Sequence, residues 1–389
     1  MADPLLFTPM SIRDIKMKNR VVVAPMHQYA AENGFPTDWH LMNIGRFAAG
    51  GAGLVFVEST KGDRRGCGTV GDTGLWDDKF IPHFKRLADF IRAHNAVPAI
   101  QLGHSGRKAR RFRPWEGGAP LMEAPDGCVD WEEWELVAPS ALPGGRNDPE
   151  PRALSNAEVK NLADMWGEAA RRVNEAGYDV LEIHAAHGYL IHQFLSPYSN
   201  VRNDEYGGSE ENRFRFAMEV VEAVRMNWPD HKPLFMRLSV EDNAGWGPEE
   251  SVRLAKQVGT MGVDVIDCSS GGMKGSPVVG ADMRPGYNYQ VPYAEKLKAE
   301  SGVMSMAVGM IVHADQAEEI LQKGQADLVA LAREILYNPN WPMDAARKLG
   351  VERDFGSVPP QQAYWLEKRA TSITDMMPST YQVGIEGKG

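Results

Sequence analysis

Arg20-Val21-Val22-Val23-Ala24-Pro25-Met26 is a run of apolar, mostly β-branched residues that breaks off at a proline. A strand facing solvent on one side alternates apolar with polar residues, whereas one buried on both faces reads as a continuous apolar run. This run is of the second kind, and outward from it the pattern recurs. Leu54–Ser59 (LVFVES), Val97–Leu102, Val180–His184, Pro233–Leu238, Val263–Ser269, Met304–Val308 and Leu328–Leu331 bring the set to eight. Between them stand amphipathic stretches at Phe80–Asn95, Ser155–Ala176, Glu211–Asn227, Pro248–Met261 and Asp315–Lys323. Strand and helix in alternation predict an α/β fold, and eight units predict closure as a single TIM (β/α)8 barrel. An open doubly wound sheet is the alternative. It usually carries a glycine-rich turn after its first strand, where this chain has Pro25-Met26-His27.

Two stretches break the rhythm. Arg110–Pro151, rich in Pro, Gly, Trp and acid, predicts a long loop excursion over the barrel mouth after strand three. Residues 1–357 then form the barrel, and residues 358–389 a C-terminal tail that packs on the barrel or on a neighbouring subunit.

Composition narrows the partners. A net charge of -10 argues against nucleic acid and against an anionic membrane surface. Met1–Met10 lacks a signal-peptide pattern, and no run of about eighteen apolar residues occurs, so a cytoplasmic protein is expected. Cys67, Cys128 and Cys268 are too few and too scattered for a disulfide framework or a metal knuckle. No metal is expected.

In barrels of this kind the chemistry lies at the carboxyl ends of the strands. Those ends deliver Pro25, Met26, His27 and Tyr29; Glu58 and Ser59; Gln101 and His104; His184, His187 and Tyr189; Arg237; Ser269 and Ser270; Gly309; and Arg333. Gly309 and Ala332-Arg333 occupy the loops after strands seven and eight, where barrels bind phosphate. The plainer reading has Gly309 turning the chain and Arg333 pairing with an acid. His184-Ala185-Ala186-His187-Gly188-Tyr189 has HxxH spacing but no third ligand for zinc. It reads equally as two donors aimed at a developing oxyanion, with Tyr189 as an acid nearby. Arg237 suits an anion in the pocket, or an ion pair with Glu182 or Asp267. An isomerase or aldolase would need a catalytic Lys or Glu at a strand end, and no strand-end lysine is expected.

Taken in order, Leu6-Phe7-Thr8-Pro9, Lys18-Asn19-Arg20, Ala24-Pro25-Met26, Gln101–Lys108 (QLGHSGRK), His184–Leu190 and the run from Phe194 through Arg213 resemble the old yellow enzyme family. The likeness covers nearly the whole chain and is strongest to its thermophilic-like bacterial branch. It implies an FMN-dependent oxidoreductase that takes hydride from NADPH or NADH and reduces activated C=C bonds. It implies that FMN contacts Pro25, Met26, His27, Ser59, Gln101 and Arg237, with Gly309, Ala332 and Arg333 on its phosphate. It further implies His184 and His187 on the substrate oxygen, Tyr189 as proton donor, and Tyr29 and His27 lining the substrate site. Relatives form homodimers or homotetramers. The chain departs from the family at His27, where the branch carries Cys and yeast-type members Thr. A change of chemistry toward dehydrogenation, or toward an aromatic or CoA-linked substrate, is the alternative this opens. Ser209 should cap the helix that begins at Glu210.

Overall fold

The computed structural model describes residues 4–274, 286–351 and 355–372. All eight apolar runs form strands: β1 (Val21–Val23), β2 (Leu54–Lys61), β3 (Val97–Gly103), β4 (Val180–Ala185), β5 (Leu234–Ser239), β6 (Val265–Ser269), β7 (Met304–Ala307) and β8 (Leu328–Leu331). They close a parallel barrel in which each strand pairs with its neighbour in sequence, and β8 returns to β1 through Val329 and Val21. The expected helices appear at α2 (Ile81–Ala93), α3 (Asn156–Glu175), α4 (Glu210–Asn227), α5 (Pro248–Thr260) and α7 (Ala314–Gln322). Ser209 caps α4 as expected, its hydroxyl accepting from Asn212 N at 3.2 Å. Periodicity did not reveal α1 (Asp38–Ala49), α6 (Val291–Ser301) or α8 (Trp341–Lys348).

Side chains alternate along a strand, and that period of two sorts the barrel interior into layers. Val22, Leu54, Phe56, Ala99, Val180, Phe235, Val265, Met306 and Leu328 form one apolar cluster there, closed by Ile12 and Met17. Those last two come from the hairpin Met10–Ile12/Ile15–Met17, which is tied to the amino ends of β5 and β6 by Asp14 N to His231 O (3.1 Å) and Arg13 to Asp264 (2.8 Å). Two residues onward from Ala99, Val180, Phe235 and Val265 the interior becomes Gln101, Glu182, Arg237 and Asp267, all buried. Two further on come Gly103, His184, Ser239 and Ser269. The apolar plug therefore supports a buried polar layer, and that layer supports the rim.

Strand β2 departs from this rule. A β-bulge between Val57 and Thr60 shifts its register against β3. Phe56 points inward and Glu58 outward, where its carboxylate meets His40 of α1 at 2.8 Å. Past the bulge the parity is inverted, so Ser59 and Lys61 turn toward the rim.

The excursion after β3 carries a small core of its own, with Trp134 and Leu121 packed on Cys67. Phe355 and Val358 are buried, whereas the helix α9 (Pro360–Ser372) buries none of its residues. The tail beyond Ser372 lies outside the described residues. Among the described residues no helix is long and apolar enough to cross a membrane.

Candidate active site

The turn after β4 is built to hold three rings together. His187 and Gly188 adopt left-handed backbone (φ 59° and 69°), and a Cβ on Gly188 would meet Gly272 O at 2.4 Å, so only glycine fits there. The turn stacks the His184 ring edgewise on His187 (5.1 Å between centroids) and on Tyr189 (4.9 Å). Ala186 N donates to His184 Nδ1 at 3.2 Å, which leaves Nε2–H as the donor of that ring. His187 Nε2 lies 2.7 Å from Ser269 Oγ. Burial, with His187, Arg237 and Lys61 nearby, holds His184 well below the ordinary histidine range. Burial and Arg237 do the same to His187, and burial raises the Tyr189 phenol. The constellation at neutral pH is thus two neutral imidazoles and a protonated phenol.

A cavity of about 550 Å³ opens above these rings, lined by His27, Tyr29, Asp72, His187, Tyr189 and Gly272 on the barrel side. Arg111, Phe112, Pro114, Gly118, Gly144 and Asp148 of the excursion complete its wall, so the excursion does roof the mouth. Tyr29 stacks on His27 (5.4 Å, 15°) and meets Trp115 of the excursion edge to face at 5.6 Å. Burial, with Asp72 and Glu58 nearby, pushes the Tyr29 phenol up to about 12. Tyr29 also adopts left-handed backbone (φ 54°), a strained conformation of the kind that collects at functional sites.

The expectation of no strand-end lysine is wrong. β2 continues two residues past Ser59 and ends on Lys61, whose side chain is fully buried beneath the mouth. Its ammonium bonds Ser59 Oγ (3.0 Å) and His27 Nε2 (3.2 Å), lies 3.6 Å from Asp72 Oδ2, and sits 5.6 Å from the Tyr189 ring centre. The bulge hides this residue from a strict alternation. Asp72, in the loop after β2, carried no sequence signal at all.

A second cavity, of about 470 Å³, runs from His187, Arg237 and Ser269 to Gly309, Ala332 and Arg333. Gly309 has φ 111°, and a Cβ there would press on Gln290 and Tyr289 at 2.9 Å. Arg333 has neither ion-pair nor hydrogen-bond partner among the described residues, so the plainer reading of a helix ion pair does not hold. Arg237 lies 3.2 Å from Asp267, as its alternative reading allowed, and strand register explains why: the two face each other across β5 and β6. Gln101 donates to Glu182 at 2.7 Å across β3 and β4. The guanidinium thus pairs with Asp267 and acts on Glu182 through its charge. Burial and Asp267 push Glu182 well above the ordinary range against the pull of Arg237, and burial raises Asp267.

Of the residues singled out from sequence, His27, Tyr29, His187 and Tyr189 line the mouth, while His187, Arg237, Gly309, Ala332 and Arg333 line the second cavity. His184, Ser59 and Gln101 are buried beneath them. The Met26 side chain packs into the main core, next to Pro25 on the segment leaving β1. Tyr289 and Gln290 also line the second cavity and were not anticipated; Gln290 Nε2 bonds Ser269 Oγ at 3.2 Å.

The profile of the NADH:flavin oxidoreductase / NADH oxidase family matches residues 5–352. The chain belongs to that family. NADPH dehydrogenases of Geobacillus sp. (strain WCH70) and Geobacillus thermodenitrificans (strain NG80-2) are each 41% identical to it, over 90% of this chain and 96% and 95% of theirs. Among solved structures, morphinone reductase superposes with a TM-score of 0.74 at 26% identity, covering 93% of both chains. A 2-naphthoyl-CoA reductase superposes with a TM-score of 0.78 at 28% identity; this chain covers 52% of it, about half its length. As a member of this family, the old yellow enzyme type of flavoprotein, the chain is an oxidoreductase with FMN as cofactor and NADPH or NADH as reductant.

The residues present fit that cofactor. Arg333 is a cation without a partner among the described residues and Gly309 leaves the room a side chain would fill, both on one cavity wall. At the other end of that cavity Arg237 keeps a buried, unbonded Nε. A phosphate and the electron-rich edge of a reduced ring are the two anions such groups would receive.

Proposed function

We propose that the enzyme reduces activated C=C bonds, in enones and related electron-poor alkenes, at the expense of NADPH or NADH. The observation that carries this is the rim constellation: His184 and His187 as neutral imidazoles in ring contact, with the protonated Tyr189 packed on His184. Neutral donors polarise a carbonyl oxygen without forming an ion pair with it, and they stabilise the charge that develops there. Tyr189, kept protonated by burial, is suited to deliver a proton to the α-carbon. Tyr29 and His27 contribute to the substrate wall. FMN, when bound, supplies hydride from N5 to the β-carbon. Pro25, Met26, His27, Ser59, Gln101 and Arg237 would hold its ring system, and Gly309, Ala332 and Arg333 its phosphate.

The test is anaerobic. NADPH should bleach the yellow protein, and 2-cyclohexenone should restore its colour. Tyr189→Phe should slow the second step about 10²- to 10⁴-fold and leave the first largely intact. Equal slowing of both steps would remove Tyr189 from the role of proton donor.

A second reading keeps the cofactor and enlarges the substrate. It is favoured by the mouth cavity of about 550 Å³ and by the likeness to a 2-naphthoyl-CoA reductase. Failure of colour to return with 2-cyclohexenone, but return with an aryl-CoA thioester, would select it. A homodimer or homotetramer belongs to the proposal, supported by Tyr364 and Trp365, which stay 52% and 66% exposed on α9. A cytoplasmic location belongs to it too, supported by three free thiols.

A further inference from the structure

We propose that Lys61 is a positioning residue, whose ammonium holds His27 in the Nδ1–H tautomer so that the ring offers the mouth cavity a hydrogen-bond donor. A lysine ammonium has three donors and no acceptor. Lys61 is fully buried, and three acceptors surround it: Ser59 Oγ at 3.0 Å, His27 Nε2 at 3.2 Å and Asp72 Oδ2 at 3.6 Å. His27 Nε2 must therefore accept, and the ring's one remaining proton belongs on Nδ1. That nitrogen has no partner among the described residues and is not among the sealed, unbonded polar atoms. The His27 side chain retains 16% of its exposure and lines the mouth cavity.

The arrangement is held from behind. Asp72 cannot turn away to take a proton from His27, because Gly68 N (2.7 Å), Thr69 N (3.2 Å) and Thr69 Oγ1 (2.8 Å) fix its carboxylate. Its Oδ2 lies 3.8 Å from His27 Nε2, farther than the lysine does. Lys61 and Asp72 face the ring with opposite charges, Glu58 adds a more remote negative one, and the rings of Tyr29 and Tyr189 flank it. Without Lys61, Asp72 would draw a proton to Nε2, leaving Nδ1 an acceptor or the ring an imidazolium.

In this geometry the Tyr189 ring neighbours both His184 (4.9 Å between centroids) and His27 (6.3 Å). Resting on the proposed function, the donor on His27 favours alkenes with two acceptor groups, one for His184 and His187 and one for His27. Maleimide is such a probe and 2-cyclohexenone is its single-acceptor counterpart.

The test uses the FMN-bound enzyme labelled with ¹⁵N-histidine, with His27→Gln identifying the His27 signals in long-range ¹H–¹⁵N spectra. The expected result is protonated Nδ1 and bare Nε2 across the neutral range. In Lys61→Met the tautomer is lost and the ring titrates at higher pH; Lys61→Arg, which keeps donors, restores it. Lys61→Met/Asp72→Asn removes both buried charges and serves if the single variant does not fold. With substrates, Lys61→Met should raise KM for maleimide relative to 2-cyclohexenone about tenfold, the weight of one hydrogen bond. A wild-type His27 protonated on Nε2, or an Nδ1–H tautomer indifferent to Lys61, overturns the inference. Because the tautomer is read without substrate, inactivity toward both alkenes would strike the proposed function alone.

Discussion

Two of the cations buried close to the rim, Lys61 and Arg237, are treated oppositely. Lys61 meets three acceptors within 3.6 Å. Arg237 reaches one carboxylate, Asp267 at 3.2 Å, and acts on Glu182 by charge; its own Nε, Glu182 Oε2 and both Asp267 oxygens are left without hydrogen bonds, and the second cavity opens beside it. A satisfied cluster has nothing left to bind with; its effect is to hold a neighbouring ring in one state. A cluster with unspent donors is incomplete until something arrives. Two groups of similar composition thus do different work, and the difference lies in the count of partners.

The comparison breaks most severely at Arg237. Arg237→Met would leave Glu182 and Asp267 buried without a counter-charge, and we expect a loss of about 3–5 kcal/mol together with most of the bound flavin. Urea unfolding and the 450 nm absorbance of the desalted protein check both. The loss should deepen with rising pH, as the two acids are forced to ionise. Stability that stays within about 1 kcal/mol of wild type would mean the carboxylates are already protonated.

Lys61→Met should cost less, about 3 kcal/mol, because Asp72 keeps its bonds from Gly68 and Thr69. Adding Asp72→Asn should recover part of that, again read by urea unfolding. A double variant weaker than the single would show that Asp72 stabilises the loop independently of the lysine.

The smallest effect concerns pH alone. Glu182 has a folded-state pKa raised above its unfolded value, chiefly by burial, so it binds its proton more tightly when folded. Stability from this group is lost as pH rises through the interval between those two values. Asp72 is opposite: burial would raise it, but Lys61, His27 and Thr69 hold it low, so its contribution is present at neutral pH and lost on acidification. Glu182→Gln should therefore gain stability at pH 8 relative to pH 5, by about 1 kcal/mol, in paired denaturation curves. A uniform shift at both pH values would contradict the raised acid.

Most of the barrel was legible because buried parallel strands announce themselves as unbroken apolar runs, and all eight did. Short or weakly amphipathic elements did not: the Met10–Met17 hairpin offers three residues per strand, and α6 begins Val-Pro-Tyr-Ala-Glu without a marked apolar stripe. Within the site, the motif after β4 and the residues Arg237, Gly309 and Arg333 were readable from their strand-end positions. Lys61 was not, because alternation counted from Phe56 would turn it outward, and the bulge that turns it inward is a backbone event without a residue signature. Asp72 reaches the same pocket through a loop, where spacing carries no direction.

That bulge has a consequence for anyone who would recombine this scaffold. It acts as a phase shift of one residue in the middle of β2, so everything before it and everything after it obey different reading frames. Deleting Ser59 would erase that shift and let β2 run in one frame, because Thr60 already lies opposite Leu102 and Lys61 opposite Gly103. Glu58 would turn into the barrel in place of Ser59, while Lys61 would stay turned toward the rim. Chimeras with bulge-free relatives should accordingly be joined below Val57 or beyond Lys61, where the two frames have been reconciled.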